Sequence, residues 1–229
     1  MFHILQEILI LKELDIEGVS RYYGCYVVSD QVNVVMEYIE GETLDKVMPK
    51  VSPDIKYRIF HDIAVIIQSF HEAGVVHRDI KPQNIMIRPN WKPVVIDFGM
   101  ACINDARGIR HSETGCYKIG GSPYYLDPFM FKYLKTDNRN PDKLFNVLVA
   151  ADWWSYAVML HYMYTGKHVL RLPQSNDSVL DRLEAATYYI TKKSDVPPII
   201  YKIIKGVLNM SNRLTGPQIL AAFEEGPAL

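Results

Sequence analysis

The sequence predicts an α+β fold with a short strand-bearing start and a mainly helical body, on the strength of three observations. Two runs rich in Val and Tyr, Tyr22 to Val28 and Val32 to Tyr38, flank Ser29, Asp30 and Gln31, which reads as a β-hairpin. A helical stripe of Ile55, Ile59, Ile63, Ile66, Ile67 and Phe70 follows Ser52 and Pro53, an N-cap with proline in the first turn, and stops at Gly74. The second half holds further helical segments over 144–164, 178–191, 198–208 and 215–224, the last capped by Thr215.

The remaining elements fill in around these. The opening MFHILQEILILKEL carries Glu7, Lys12 and Glu13 at helical spacing, with no basic start and no small-residue cleavage site, so it predicts an amphipathic helix and not a signal peptide. Short strands are expected at Asn84 to Ile87 and Val94 to Ile96, turned through Pro89 and Asn90. From Gly99 to Tyr125 there is no periodicity, and so long a loop in a compact domain is usually functional. Leu144 to Tyr164 approaches membrane-spanning length, but Asp152 and His161 near its middle favour a helix buried in protein.

With 229 residues, 48% of them hydrophobic, and a formal net charge of -1, the chain is expected to form one domain and to present no field that attracts nucleic acid or membrane. No internal repeat or linker divides it. Cys25, Cys102 and Cys116 are sparse and lack metal-ligand spacing; they read as free thiols of a reducing, intracellular and cytoplasmic setting, with Cys102 and Cys116 the pair that a loop could bring together.

Chemistry concentrates in His77-Arg78-Asp79-Ile80-Lys81-Pro82-Gln83-Asn84 and, thirteen residues after Asn84, Asp97-Phe98-Gly99. Either motif alone is weak; together, in this order and with room for a strand pair between them, they are a strong signal. The chain resembles the eukaryotic-type protein kinases of the serine/threonine class. Phosphoryl transfer asks a protein to position two reactants and neutralise charge on the moving phosphate, so the resemblance implies ATP and Mg2+ as cofactors and a protein as substrate. It further implies that Asp79 accepts the proton of the substrate hydroxyl, that Lys81 lies against the γ-phosphate, and that Asn84 and Asp97 offer magnesium its hard oxygen ligands. All four residues are expected to converge on one magnesium-bound triphosphate. Lys81, two positions after Asp79, and Ser122 in Gly121-Ser122-Pro123-Tyr124-Tyr125 both resemble the serine/threonine pattern.

The resemblance extends further along the chain. Met36 looks like the gatekeeper of a hinge in which the backbone of Glu37 and Ile39 faces adenine, with Met86 as the floor beneath it. Glu7 resembles the acid of the C-helix, and Leu11, Tyr22, His77 and Phe98 a stacked spine. Arg78 resembles the arginine that clamps a phosphorylated activation segment, for which Ser112, Thr114 and Tyr117 are candidate phosphosites. The implied architecture is a protein kinase-like fold: a partial N-lobe over 1–38, comprising the C-helix and a hairpin up to the hinge, and a complete, mainly helical C-lobe over 39–229.

Departures from the pattern set further expectations. A glycine-rich loop and a strand lysine belong upstream of Glu7, where this sequence has six residues, so catalysis by the chain as given is expected to be weakened and the sheet edge to be open to another kinase or to the missing N-lobe segment. Asp127-Pro128-Phe129 stands where the family has Ala-Pro-Glu, which leaves Arg213 without its expected partner. The span from Phe129 to Asp152, with Lys132, Lys135, Arg139 and Lys143, reads as a long solvated loop. Three functions fit these features: an active serine/threonine kinase, a truncated lobe that binds or regulates full kinases, and a small-molecule kinase, the last opposed by the pairing of Lys81 with Ser122.

Overall fold

The structure, a computed structural model, describes residues 2–105, 108–110, 116–136, 140–174, 178–191 and 196–226. Helices and four small antiparallel sheets make up the described chain, which is the α+β architecture expected. The chain divides into two compact units, Met1–Arg78 with Pro82–Lys118, and Asp79–Lys81 with Ile119–Leu229.

In the first unit, α1 (Phe2–Glu13) buries Ile8, Ile10 and Leu11. Strands β1 (Tyr22–Val28) and β2 (Gln31–Met36) pair antiparallel, with Val28 opposite Gln31. The turn is therefore two residues and not three: Ser29 and Asp30 both take positive φ (48° and 62°), the geometry whose twist matches that of the flanking strands. β3 (Glu42–Thr43) leads into the short α2 (Leu44–Val47) and then α3 (Pro53–Glu72), where the Ser52 hydroxyl accepts from the Ile55 N–H at 3.4 Å and caps the helix as expected. The α3 stripe, with Ile59, Phe60, Ile63, Ile67 and Phe70 at 0–1% exposure, forms the centre of this unit's core.

Gly74 ends α3 at φ +78°, and a Cβ there would meet the Asn104 carbonyl oxygen at 2.4 Å, so the close approach of two backbones requires glycine. β4 (Val75–Val76) follows, then β5 (Ile85–Ile87), β6 (Pro93–Val95), β7 (Cys102–Asp105) and β8 (Gly108–Arg110). They form two three-stranded sheets, ordered β3-β5-β6 and β4-β7-β8. The second sheet gives ladder structure to part of the stretch that lacks sequence periodicity, and Val76 opposite Cys102 fixes its register.

In the second unit, α4 (Pro128–Lys135) is capped by Asp127, and α5 (Pro141–Thr165) is its central helix, buried continuously from Ala151 to His161. The span from Phe129 to Asp152 is thus largely helical and not a loop. Lys132 and Lys135 lie exposed on α4 and Lys143 on α5, because a helix can bury one face while presenting its charges to water; Arg139 lies outside the described residues. After β9 (Leu170–Arg171), α6 spans only Val179–Glu184. The helix expected to reach 191 stops because Thr187 and Tyr188 form β10 against β9, a pairing that takes the backbone out of the helix. α7 (Pro198–Val207) and α8 (Gly216–Glu224) complete the unit, the latter with a capping box between Thr215 and Gln218. No described helix is long and apolar enough to cross a membrane.

Candidate functional site

Within the second unit the structure brings Asp79, Lys81 and Ser122 together. The Lys81 ammonium donates to Asp79 Oδ2 at 2.6 Å and to Ser122 Oγ at 2.9 Å, while the Ser122 backbone N–H donates to Asp79 Oδ1 at 2.9 Å. Both oxygens of a nearly buried carboxylate are therefore oriented by named donors. The segment carrying Ser122 is fixed from α5: Ser155 Oγ donates to the Tyr125 carbonyl at 2.8 Å, and Pro123 starts a single 3-10 turn over Pro123–Tyr125.

The same unit settles the partner of Arg213. Asp127 receives both guanidinium nitrogens, Nη1 to Oδ2 at 2.5 Å and Nη2 to Oδ1 at 2.8 Å, and Oδ1 also accepts from Phe129 N–H at 2.8 Å. The expectation of an unpartnered Arg213 is corrected. The carboxylate sits two positions earlier than the family's glutamate and doubles as the cap of α4. The Arg213 guanidinium lies 5.0 Å from the Trp154 ring and 5.7 Å from that of Phe129, so apolar faces cover an ion pair whose carboxylate is fully buried. Tyr188 is pushed up to about 12, first by burial and then by the Asp127 charge, against the lowering effect of Arg213.

Asn84, Asp97 and the other candidates lie in the first unit. Asn84 is buried at the end of a 3-10 turn, its carbonyl accepting from Ile96 N–H at 3.0 Å. Asp97 is exposed and takes φ +65°, a left-handed conformation that costs a non-glycine residue about 1 kcal/mol or more. Phe98, wholly buried, packs against His77 with ring centroids 4.7 Å apart and the planes tilted by 59°, and His77 Nε2 meets the Ile96 carbonyl at 3.0 Å. Phe70 packs edge-on to Phe98 at 5.9 Å. The sequence had marked Phe70 only as part of the α3 stripe. Leu11 is buried, and Tyr22 is half-buried with the Lys12 ammonium 5.8 Å from its ring centroid.

Glu7 faces this same corner. Burial pushes its carboxyl above the usual carboxylate range, the neighbouring Asp97 charge adds to the rise, and the hydrogen bond from the Phe98 backbone opposes it. At the expected hinge, Met36 and Glu37 are half-buried and Ile39 is buried. The Glu37 N–H is spent on the Arg21 carbonyl at 2.8 Å, so its backbone has a carbonyl to offer a ligand. Its side chain pairs with Arg88 at 2.5 Å, which holds the carboxyl below its usual range. Met86 is half-buried on β5, between Thr43 and Val94.

Arg78 takes φ +70° and donates to the Lys118 carbonyl at 2.5 Å and the Met100 carbonyl at 3.3 Å. Tyr117 is half-buried beside Lys118, while Ser112 and Thr114 lie outside the described residues. The reading of three free thiols is also corrected: Cys102 and Cys116 are joined as a disulfide and Cys25 alone is free. The loop from β7 brings their Cα atoms to 6.0 Å, a bridgeable separation that residue spacing alone does not reveal.

A protein kinase domain model matches residues 2–222, and the chain belongs to the protein kinase family. Among its relatives are a probable serine/threonine-protein kinase of Clostridium perfringens, 30% identical over 79% of this chain and 24% of the relative, and one of Dictyostelium discoideum, 26% identical over 90% and 22%. CBL-interacting protein kinase 26 of Oryza sativa subsp. japonica is 26% identical over 96% of this chain and 42% of the relative. The chain spans about a quarter of the length of the first two relatives and under half of the third.

Proposed function

We propose that this protein transfers the ATP γ-phosphate to serine or threonine hydroxyls of a protein substrate, and that it works in the cytoplasm. The observation that carries this reading is the hydrogen-bonded trio of Asp79, Lys81 and Ser122. A carboxylate held at both oxygens has a fixed orientation, which suits it to take the proton of an attacking hydroxyl, and Lys81 supplies a cation that can turn from Asp79 to a phosphate oxygen.

The donor chemistry fits the cofactor. Among the described residues no group of three His, Cys, Asp or Glu could cage a metal, whereas Asn84 and Asp97 present an amide and a carboxylate, the sparse hard-oxygen set that Mg2+ completes with phosphate and water. Magnesium-bound ATP, when present, supplies the activated phosphate and neutralises its charge. Met36, Glu37, Ile39 and Met86 are read as the adenine contacts, Glu7 and Arg78 as regulatory groups, and Ser112, Thr114 and Tyr117 as candidate phosphosites. Residues 1–38 are read as the N-lobe portion and 39–229 as the C-lobe.

The test is to incubate the purified chain with Mg-ATP and a generic protein substrate beside Asp79→Asn, followed by phosphoamino-acid analysis. Phosphoserine or phosphothreonine from the parent alone supports the reading; equal signal from both, or phosphotyrosine alone, overturns it. A second reading, a catalytically impaired lobe that binds or regulates other kinases, draws on the exposed apolar side chains of the β1–β2 hairpin, where Tyr23, Tyr26, Val27 and Val28 are each more than half exposed. Capture of a full kinase by an inactive chain, lost in Tyr26→Ser/Val28→Ser, supports it.

A further inference from the structure

The loop closed by the Cys102–Cys116 disulfide is bridged a second time by Arg78. One guanidinium nitrogen, Nη1, donates to the Met100 carbonyl at 3.3 Å and lies 3.5 Å from Cys102 Sγ; the other, Nη2, donates to the Lys118 carbonyl at 2.5 Å. Each end of the segment, Met100 to Cys102 and Cys116 to Lys118, is therefore fastened both covalently and by the arginine. The two ends differ in their own support. Cys102 opens β7 and is held opposite Val76 in the β4–β7 ladder, whereas Cys116 lies in a turn outside any helix or strand.

We infer that Cys102 and Cys116 are a reversible thiol-oxidation site, closed by a hydroperoxide and opened by a dithiol, whose closed form holds residues 116–118 against Arg78. A chain of 229 residues with a large buried core does not depend on a staple to fold, unlike the small domains that disulfides usually support, and this bond closes one local loop instead of joining distant elements. The cation beside Cys102 stabilises a thiolate on that sulfur, which makes Cys102 the attacking group. The ladder keeps that thiolate in place while the Cys116 end moves.

The chemistry balances with two named reagents. The Cys102 thiolate attacks one oxygen of hydrogen peroxide, the O–O bond breaks, and hydroxide leaves to be protonated to water, which gives a sulfenic acid. The Cys116 thiolate attacks that sulfur, the S–O bond breaks, the oxygen leaves as water, and the S–S bond forms. Two thiols and one peroxide become one disulfide and two waters, with two electrons passing from sulfur to oxygen. A dithiol opens the bond through a mixed disulfide and returns two electrons and two protons.

The experiment uses the intact chain, reduced, desalted and treated with stoichiometric hydrogen peroxide. Its readouts are non-reducing peptide maps and amide hydrogen exchange, both independent of phosphotransfer and so of the function proposed above. Expected are one Cys102–Cys116 linkage, its reversal by dithiothreitol in native buffer, and exchange at 116–118 slowed by roughly tenfold or more in the closed form. Cys25→Ser leaves all three unchanged. Cys116→Ser and, separately, Cys102→Ser abolish the linkage and keep exchange fast with or without peroxide. A linkage that involves Cys25, one that native dithiothreitol does not open, no linkage at all, or equal exchange in the two forms would each overturn the inference.

Discussion

Asp127→Ala removes a charge partner and a helix cap in one step, and the structure lets the two costs be separated. Arg213 would remain as a cation only 15% exposed, between Trp154 and Phe129, a situation that costs about 3–5 kcal/mol when the carboxylate of a buried pair is deleted. Losing the acceptor for the Phe129 N–H adds about 1 kcal/mol. The sum, about 4–6 kcal/mol, lowers the unfolding midpoint by on the order of 10–20 °C in a chain of this size. Asp127→Asn keeps an oxygen for the cap and is expected to cost about 1 kcal/mol less. The double variant Asp127→Ala/Arg213→Met leaves no buried charge behind and recovers about 1–3 kcal/mol relative to the summed single effects. Urea and thermal unfolding of the parent, Asp127→Ala, Asp127→Asn, Arg213→Met and the double variant measure all of these. An Asp127→Ala chain within about 1 kcal/mol of the parent, or single effects that add to within about 0.5 kcal/mol, would show that the ion pair does not hold α4 to the Arg213 segment.

Four sites give further expectations. Lys81→Ala lowers kcat on the order of 100-fold with a smaller change in KM, whereas Ser122→Ala, which keeps the backbone N–H to Asp79, lowers it only about tenfold; steady-state kinetics with Mg-ATP separate them. His161 Nδ1 donates to the Lys167 carbonyl at 2.8 Å and Nε2 accepts from Thr191 N–H at 2.9 Å, so the ring is neutral, and burial pushes it below the usual histidine range. His168, stacked between Tyr124 and Tyr162, is also lowered, by burial first and then by the repulsion that a protonated His161 would exert on it. The unfolded chain protonates first at both, so stability is level above about pH 6.5 and falls as pH drops through that value; melting scans read the slope, which His161→Gln should reduce. Glu7 carries the opposite sign, because its raised carboxyl favours the protonated fold: stability falls as pH rises through the usual carboxylate range, and Glu7→Gln should raise the melting temperature at neutral pH but not below about pH 4.

What could be read in the sequence, and what could not, follows from the range of the interactions. The trio of Asp79, Lys81 and Ser122 was legible because a motif names the side chains, and α3 and α8 were legible because Ser52, Gly74 and Thr215 punctuate them within a few residues. The pairing of Asp127 with Arg213 spans 86 residues and depends on a cap position shifted relative to the familiar glutamate, which no local signal announces. The early end of α6 was hidden because the alternative, pairing β10 with β9, lies in another part of the chain. The disulfide was hidden for a related reason: composition argues about compartments, while bonding depends on how close β7 brings two sulfurs.

Motifs also say nothing about backbone strain, and Asp97 shows why that matters. At φ +65° its left-handed backbone costs about 1 kcal/mol that glycine would not incur. Glycine would return about 0.5 kcal/mol of this through the greater freedom of the unfolded chain. Asp97 is exposed, and its visible bond is a long one from the Gly99 N–H at 3.4 Å, so little packing is lost with the side chain. Its charge moreover raises Glu7 across the corner they share. Asp97→Gly should therefore unfold at the same or a higher temperature than the parent while losing phosphotransfer, and Asp97→Asn, which relieves the charge but not the backbone, should fall between them in stability. A residue that the fold would be better without, yet that the chain keeps in a strained conformation, is what the proposed metal-facing role of Asp97 predicts. If Asp97→Gly melts well below the parent, the carboxylate is structural and this argument for a metal-facing role fails.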